Sequence, residues 1–292
     1  MSDVHGEQLI FASDSSFKNG YIVDAMLCTD LQSFDDWKQR SEEIRQYNAL
    51  NQKGLHYKEL RPGMDDWPAL WPTLKSASMM RGVAVVVRTP PEMSQANDQI
   101  VKSLIQLGMN TGRHNWKVSE YVKMVGLASL VGAIAGAIPQ DIRSVRWVSD
   151  SDPMFNHADQ LLDIKEAVEH ALELNDKKSV REIEIRTKHK PQPDQWAFDL
   201  VNVLDLYAGA VGDILFESEV DKDISRSLWS PGENERRNMK IANIGGWFLQ
   251  DNYNPLRRYT FDFGPIQREG EMLKHSVACV TGASFDSDRR LT

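Results

Sequence analysis

The stretch from Leu9 to Leu27, LIFASDSSFKNGYIVDAML, constrains this chain more than any other. Leu9, Ile10 and Phe11 are strand formers. Asn19-Gly20 is a strong hairpin signal, because both residues tolerate positive φ. Tyr21, Ile22 and Val23 restart the strand. The stretch therefore reads as two antiparallel strands, with Asp14 where the first strand stops and the turn begins. A carboxylate there stays solvated while a rigid sheet holds it, which suits a metal ion. The simpler reading of Asp14 is a turn residue, since Asp-Ser pairs bend chains.

Further on, Ser33 to Asn51 reads as an amphipathic helix with Ser33 as N-cap. Leu55 to Gly63 is a short mixed stretch ended by Pro62-Gly63. Asp66 to Ser78 reads as a short helix. Gly82 to Val87, GVAVVV, has the composition of a strand buried on both faces. Helices are expected over Met93–Leu107 and His114–Ile138, then a strand over Val145–Val148 that runs into the acidic turn SDSDP. A helix over Asn156–Leu174, a one-sided strand EIEIRT over Glu182–Thr187 and an apolar helix from Asp194 or Gln195 to about Leu215 follow. From Glu217 on the pattern weakens, so a loop-rich segment with a disordered tail is expected. The order implies mixed α/β with an early antiparallel hairpin.

The chain of 292 residues is long enough for a substantial core, and its formal net charge of −8 excludes a basic nucleic-acid coat. Local phosphate contacts through patches or bound cations stay open. Cys28 and Cys279 are far apart, which argues for a reducing, cytoplasmic setting, and no apolar leader is evident. Met124 to Ile138 is uncharged but short of the about 20 residues a membrane span needs. It reads as a buried helix, and no membrane role is expected.

Asp14 and Asp150 share a local setting, ASDSS and VSDSD, each closing an apolar strand. If the two strands are neighbours, the acids lie side by side. Asp205 sits mid-helix between Leu204 and Leu206, and a carboxylate on a buried face is costly unless a cation or donor meets it. Ala208 and Gly209 would let that helix approach the sheet. Glu59 is a fourth acid, near Lys58 and Arg61. Such an oxygen-rich set suits Mg²⁺ or Mn²⁺ rather than Zn²⁺, and two such ions about 4 Å apart support phosphodiester cleavage. The simpler readings are a helix N-cap for Asp150 and still more for Asp152, an Arg-paired acid for Asp205 and a solvated charge for Glu59.

Taken together, SDSS at Ser13–Ser16, KEL at Lys58–Leu60, VSDSD at Val148–Asp152 and VLDLYAG at Val203–Gly209 resemble, in that order, the RNase H-like family catalogued as domain of unknown function 3800. The resemblance covers Leu9 to about Leu215. It implies an RNase H-like mixed sheet flanked by helices over residues 1–217, with a helical insertion at about 92–140; the weaker pattern over 218–292 reads as a loop-rich extension packed on the same domain. It implies Asp14, Glu59, Asp150 and Asp205 as ligands of Mg²⁺ or Mn²⁺. The chain departs from the family in having Ser15 where Glu often follows the first Asp, and Leu204 where Ala usually precedes the late Asp.

The expectation is a divalent-metal-dependent nuclease or phosphodiester hydrolase acting on nucleic acid. The alternative is a non-catalytic RNase H-like scaffold, with a protein partner or a second copy, in an antiviral defence assembly. Lys177 to Lys190 holds six Lys or Arg against two Glu and either grips phosphates or blocks a sheet edge. His56 is placed to assist proton transfer or is a surface His. His114 with Trp116, and Arg257-Arg258 with Tyr259, are weaker candidates for base or phosphate contact. The chain lacks G-x-x-x-x-G-K, G-x-G-x-x-G, H-E-x-x-H and G-x-S-x-G, so a P-loop ATPase, a Rossmann dehydrogenase, a thermolysin-type protease and an esterase are unsupported.

Overall fold

A computed structural model describes residues 6–18, 20–50, 54–150, 153–155, 157–178, 180–187, 195–221, 235–249 and 255–281. Strands β1 (Glu7–Lys18) and β2 (Tyr21–Asp30) form the opening hairpin, and α1 (Leu31–Tyr47) follows directly. Next come α2 (Leu70–Ala77), β3 (Gly82–Thr89), α3 (Pro91–Gln106), α4 (Val118–Gly136), β4 (Ile142–Ser149), α5 (Ala158–Leu174) and β5 (Glu182–Thr187). The chain continues through α6 (Gln195–Asp221), α7 (Glu235–Leu249), β6 (Leu256–Glu269) and β7 (Met272–Thr281).

Among the described residues, seven strands make one mixed sheet in the order β5-β4-β1-β2-β3-β6-β7. β1 pairs antiparallel with β2 and parallel with β4, and β4 pairs parallel with β5. β2 pairs antiparallel with β3, which is parallel to β6. Alternation sorts the side chains into two cores. Leu9, Phe11, Val83, Val85 and Val87 pack with α3, α4 and α5 on one face. Ile10, Ala12, Ala84 and Val86 pack with α1, α2, α6 and α7 on the other. The run GVAVVV is thus buried on both faces, as its composition requires.

Several local features differ from the sequence reading. β1 does not stop at Asp14; it runs to Lys18, paired with Tyr21 across the turn. Gly20 has φ +90°, as a tight turn demands, while Asn19 lies outside the described residues. Asp30, not Ser33, caps α1: its Oδ1 accepts the Ser33 N–H at 2.7 Å and its Oδ2 accepts the Ser33 hydroxyl at 2.8 Å. The helix expected from His114 starts at Val118, because the preceding loop wraps around Asp163. That carboxylate accepts the backbone N–H groups of Arg113 (2.8 Å) and His114 (2.9 Å) and the Trp116 indole N–H (2.8 Å). The uncharged segment of α4 is largely buried between α5 and the sheet.

The weak pattern after Glu217 conceals α7 and a long hairpin. Phe261 and Phe263 of β6 alternate into the α3/α4 core. The register then shifts between Phe263 and Ile266, where Gly264-Pro265 interrupts the alternation, and resumes to a tight turn at Gly270 with φ +61°. A bulged strand breaks the period of two that reveals strands in sequence, which is why a loop-rich extension was expected there. The tail after Thr281 lies outside the described residues.

Candidate metal centre

β1 outruns its parallel neighbour. The register pairs Ser13 with Ser149, the last residue of β4, and the Asp150 N–H still donates to the Ser13 carbonyl at 3.2 Å. Asp14, still inside β1, and Asp150, just past the end of β4, therefore follow side by side on two adjacent parallel strands. The pair of strands is locked on the opposite face. Ser13 Oγ donates to Ser149 Oγ at 3.0 Å and accepts the Trp147 indole N–H at 2.8 Å. Asp14 is 6% exposed, and its Oδ1 accepts the Ser15 N–H at 2.8 Å. Asp150 does not cap α5, which starts at Ala158 with His157 at the cap; Asp152 lies outside the described residues.

α6 lies across this edge. Val201 packs on Val148 of β4, and a Cβ on Gly212 would sit 3.1 Å from Lys18 and 3.3 Å from Val23. Asp205 falls between those two contacts along α6. Gly212 is thus the residue that brings α6 down on β1 and β2. Gly209 has another role: a Cβ there would lie 2.2 Å from the Tyr57 ring, so this glycine houses an aromatic side chain.

Asp205, Gly209 and Asp213 recur every four residues and form one stripe on α6. Tyr57 lies along that stripe. Its N–H donates to Asp205 Oδ2 at 2.8 Å, its ring covers Gly209, and its hydroxyl donates to Asp213 Oδ2 at 2.6 Å. Lys240 of α7 donates to the Tyr57 carbonyl at 2.8 Å and sits 4.0 Å over the ring. Lys18 lies 4.9 Å from the ring centroid and 3.4 Å from Asp213 Oδ1. Asp205 is therefore met by a backbone donor rather than by an Arg, with His56 Nδ1 also 3.4 Å from Oδ2. Tyr57, Asp213, Lys18 and Lys240 did not emerge from the sequence. The spacing D-x₃-G-x₃-D on an apolar helix was the one local signal for them.

Glu59 occupies the turn after Tyr57. It is exposed, and its N–H donates to the His56 carbonyl at 3.1 Å. His56 is half-buried beside Asp205 rather than at the free surface.

The other candidates have structural partners. Lys177 donates to the carbonyls of Ile138 (2.5 Å) and Gln140 (3.0 Å) at the end of α4. Glu184 on the edge strand β5 accepts from Arg146 at 2.8 Å and from Arg186. Partial burial pushes its carboxyl pKa up, but the two guanidiniums outweigh this and hold it below the ordinary value. Residues 188–190 lie outside the described set. Arg258 donates to the Trp247 carbonyl at 2.7 Å and stacks 4.5 Å over that ring. His114 stacks on His157 at 5.6 Å and meets Trp116 edge-on. A groove of about 670 Å³ between α4, α5 and β7 includes Tyr121, Asp163 and Lys274 in its lining but none of the four acids.

Among the described residues, no three His, Cys, Asp or Glu side chains stand together as a metal-holding group. The donor chemistry nonetheless fits a hard cation. Mg²⁺ is usually held by one or two carboxylates, with waters and substrate phosphates completing its shell. Asp14 and Asp150 are such a pair. Asp205 on α6 is held by the Tyr57 N–H, and Glu59 follows on the turn after Tyr57; neither forms one group with that pair. No protein-family profile and no curated protein matches this chain.

Proposed function

We propose that this protein is a divalent-metal-dependent nuclease or phosphodiester hydrolase of RNase H-like type, related to the family of domain of unknown function 3800. The observation that supports the reading is the adjacency of Asp14, inside β1, and Asp150, just past the end of the parallel strand β4. The sheet order supports the RNase H-like fold, since an antiparallel hairpin is extended on one side by β4 and β5 in parallel.

In this reading Asp14 and Asp150 hold Mg²⁺ or Mn²⁺, and Asp205 and Glu59 complete the protein's share of the ligands. A bound divalent ion supplies activation of water and charge stabilisation at a phosphoryl oxygen. The chain's own part is orientation. The Tyr57 N–H fixes one oxygen of Asp205 and so sets the direction of the other. His56, within reach of the same carboxylate, is the group available to carry a proton.

The experiment is cleavage of single- and double-stranded DNA and RNA with Mn²⁺ by the wild type, Asp14→Asn and Asp205→Asn. Cleavage by the wild type and its loss in both variants, with the fold intact, supports the reading. Undiminished cleavage by both variants overturns it.

A second reading is a non-catalytic scaffold that docks nucleic acid, a protein partner or a second copy. It is favoured by the engagement of Asp205 and Asp213 with Tyr57 and by the ammonium groups of Lys18 and Lys240 close by. Specific binding of a nucleic acid or protein without cleavage, in the same experiment, would select it.

A further inference from the structure

Lys240 is 4% exposed, and Tyr57 is 1% exposed. Burying an ammonium costs free energy, and replacing buried ionic groups by apolar ones of similar size is often neutral or stabilising. If α7 needed only to pack on α6, an aliphatic side chain at 240 would serve. Instead the ammonium meets Tyr57 twice, at its carbonyl (2.8 Å) and over its ring (4.0 Å).

Tyr57 in turn has every polar group engaged. Its carbonyl accepts from Lys240, its hydroxyl donates to Asp213, and its N–H donates to Asp205. The ring is pinned in the gap left by Gly209. His56 precedes it, and Glu59 follows on the same turn, with the Leu60 N–H bonded to the His56 carbonyl at 2.8 Å. A displacement of Tyr57 therefore moves the donor on Asp205 and the turn carrying Glu59 together.

We propose that Lys240 is a positioning residue of the acid centre. It acts through Tyr57 to set the orientation of Asp205 and the placement of the turn that bears His56 and Glu59. This makes α7 part of the site, although it contributes no ligand. The proposal rests on the metal-centre reading above and deepens it. Groups of this kind, which orient metal ligands without touching the metal, carry large effects on metal affinity.

The test uses the full chain and two readouts other than activity. Mn²⁺ binding is followed by the electron paramagnetic resonance of the free ion, with and without a short oligonucleotide. Amide exchange is followed over residues 55–60. The variants are Lys240→Met, Gly209→Ala and their double. Gly209→Ala pushes the same ring from the other side, so the test survives if Lys240→Met does not fold. Ile244→Ala, which truncates a fully buried side chain of α7 in the apolar core, controls for simple destabilisation.

Each single variant is expected to speed exchange over 55–60 and to weaken Mn²⁺ binding about tenfold to a hundredfold, the usual effect of losing a ligand-orienting partner. The double is expected to be little worse than the weaker-binding single, since both act through one residue. Ile244→Ala is expected to bind as the wild type does. Wild-type affinity in Lys240→Met and Gly209→Ala overturns the proposal and leaves the metal centre standing, as does an equal loss in Ile244→Ala. Absence of Mn²⁺ binding by the wild type, with or without oligonucleotide, removes the metal centre itself and the proposal with it.

Discussion

The Asp150 N–H donates to the Ser13 carbonyl across 3.2 Å, and this bond sets Asp150 beside Asp14. It is the last link of the parallel β1–β4 ladder, placed where β4 ends and β1 continues. Two sequence-remote acids with matching neighbours thereby become a pair on one sheet edge.

Asp14→Asn and Asp150→Asn are expected to keep the fold and abolish metal-dependent cleavage, because each removes half of the carboxylate pair. Circular dichroism and a cleavage assay check both halves of this. Retained cleavage in either variant would place the chemistry elsewhere.

Tyr57→Phe tests the stripe on α6. The hydroxyl donates to a buried carboxylate at 2.6 Å. Losing a hydrogen bond to a charged partner costs about 1.5–3 kcal/mol. A denaturant titration showing a loss of that size, with Asp205 still held by the Tyr57 N–H, is the expected outcome. Unchanged stability would show that Asp213 is satisfied without Tyr57.

Asp163→Ala is expected to be strongly destabilising. The carboxylate satisfies three N–H donors of the loop before α4, and leaving one buried and two part-buried donors without it costs about 2–4 kcal/mol in all. Limited proteolysis should then cut between 107 and 117 first. Resistance equal to wild type would mean that the loop is held by its other contacts.

His275 predicts a pH dependence. Burial holds its imidazole pKa below the ordinary value and outweighs the opposing pull of the Gly264 and Val122 carbonyls and Asp24. The folded protein therefore keeps His275 neutral at pH values where the unfolded chain, with a pKa of about 6.5, has begun to protonate. Its contribution is fully present above about pH 6.5 and is lost as pH falls from there toward the folded pKa. Urea midpoints are expected to fall with acidification in wild type and to fall less steeply in His275→Phe, which keeps a ring on Phe263. Equal slopes would contradict this.

Much of the fold is legible in sequence because short-range patterns write it. The valines of 83–87 announce a strand buried on both faces, and EIEIRT announces an edge; both hold in the sheet order. β6 is hidden because the bulge at Gly264-Pro265 shifts the alternation. The acids Asp14 and Asp150 are legible through repeated local context, SDS after an apolar run. Tyr57, Asp213 and Lys240 are not, since their meaning lies in contacts 156 and 183 residues apart. Gly209 is visible as a small residue, yet whether it faces the sheet or an aromatic ring depends on the same long-range packing.

The most direct measurement is a calorimetric Mn²⁺ titration of wild type and Asp150→Asn, with a short oligonucleotide present to supply phosphate oxygens. The Asp14–Asp150 pair predicts saturable binding by the wild type that is lost in the variant. Equal binding by both proteins, or none by the wild type, would contradict a metal centre at this strand edge.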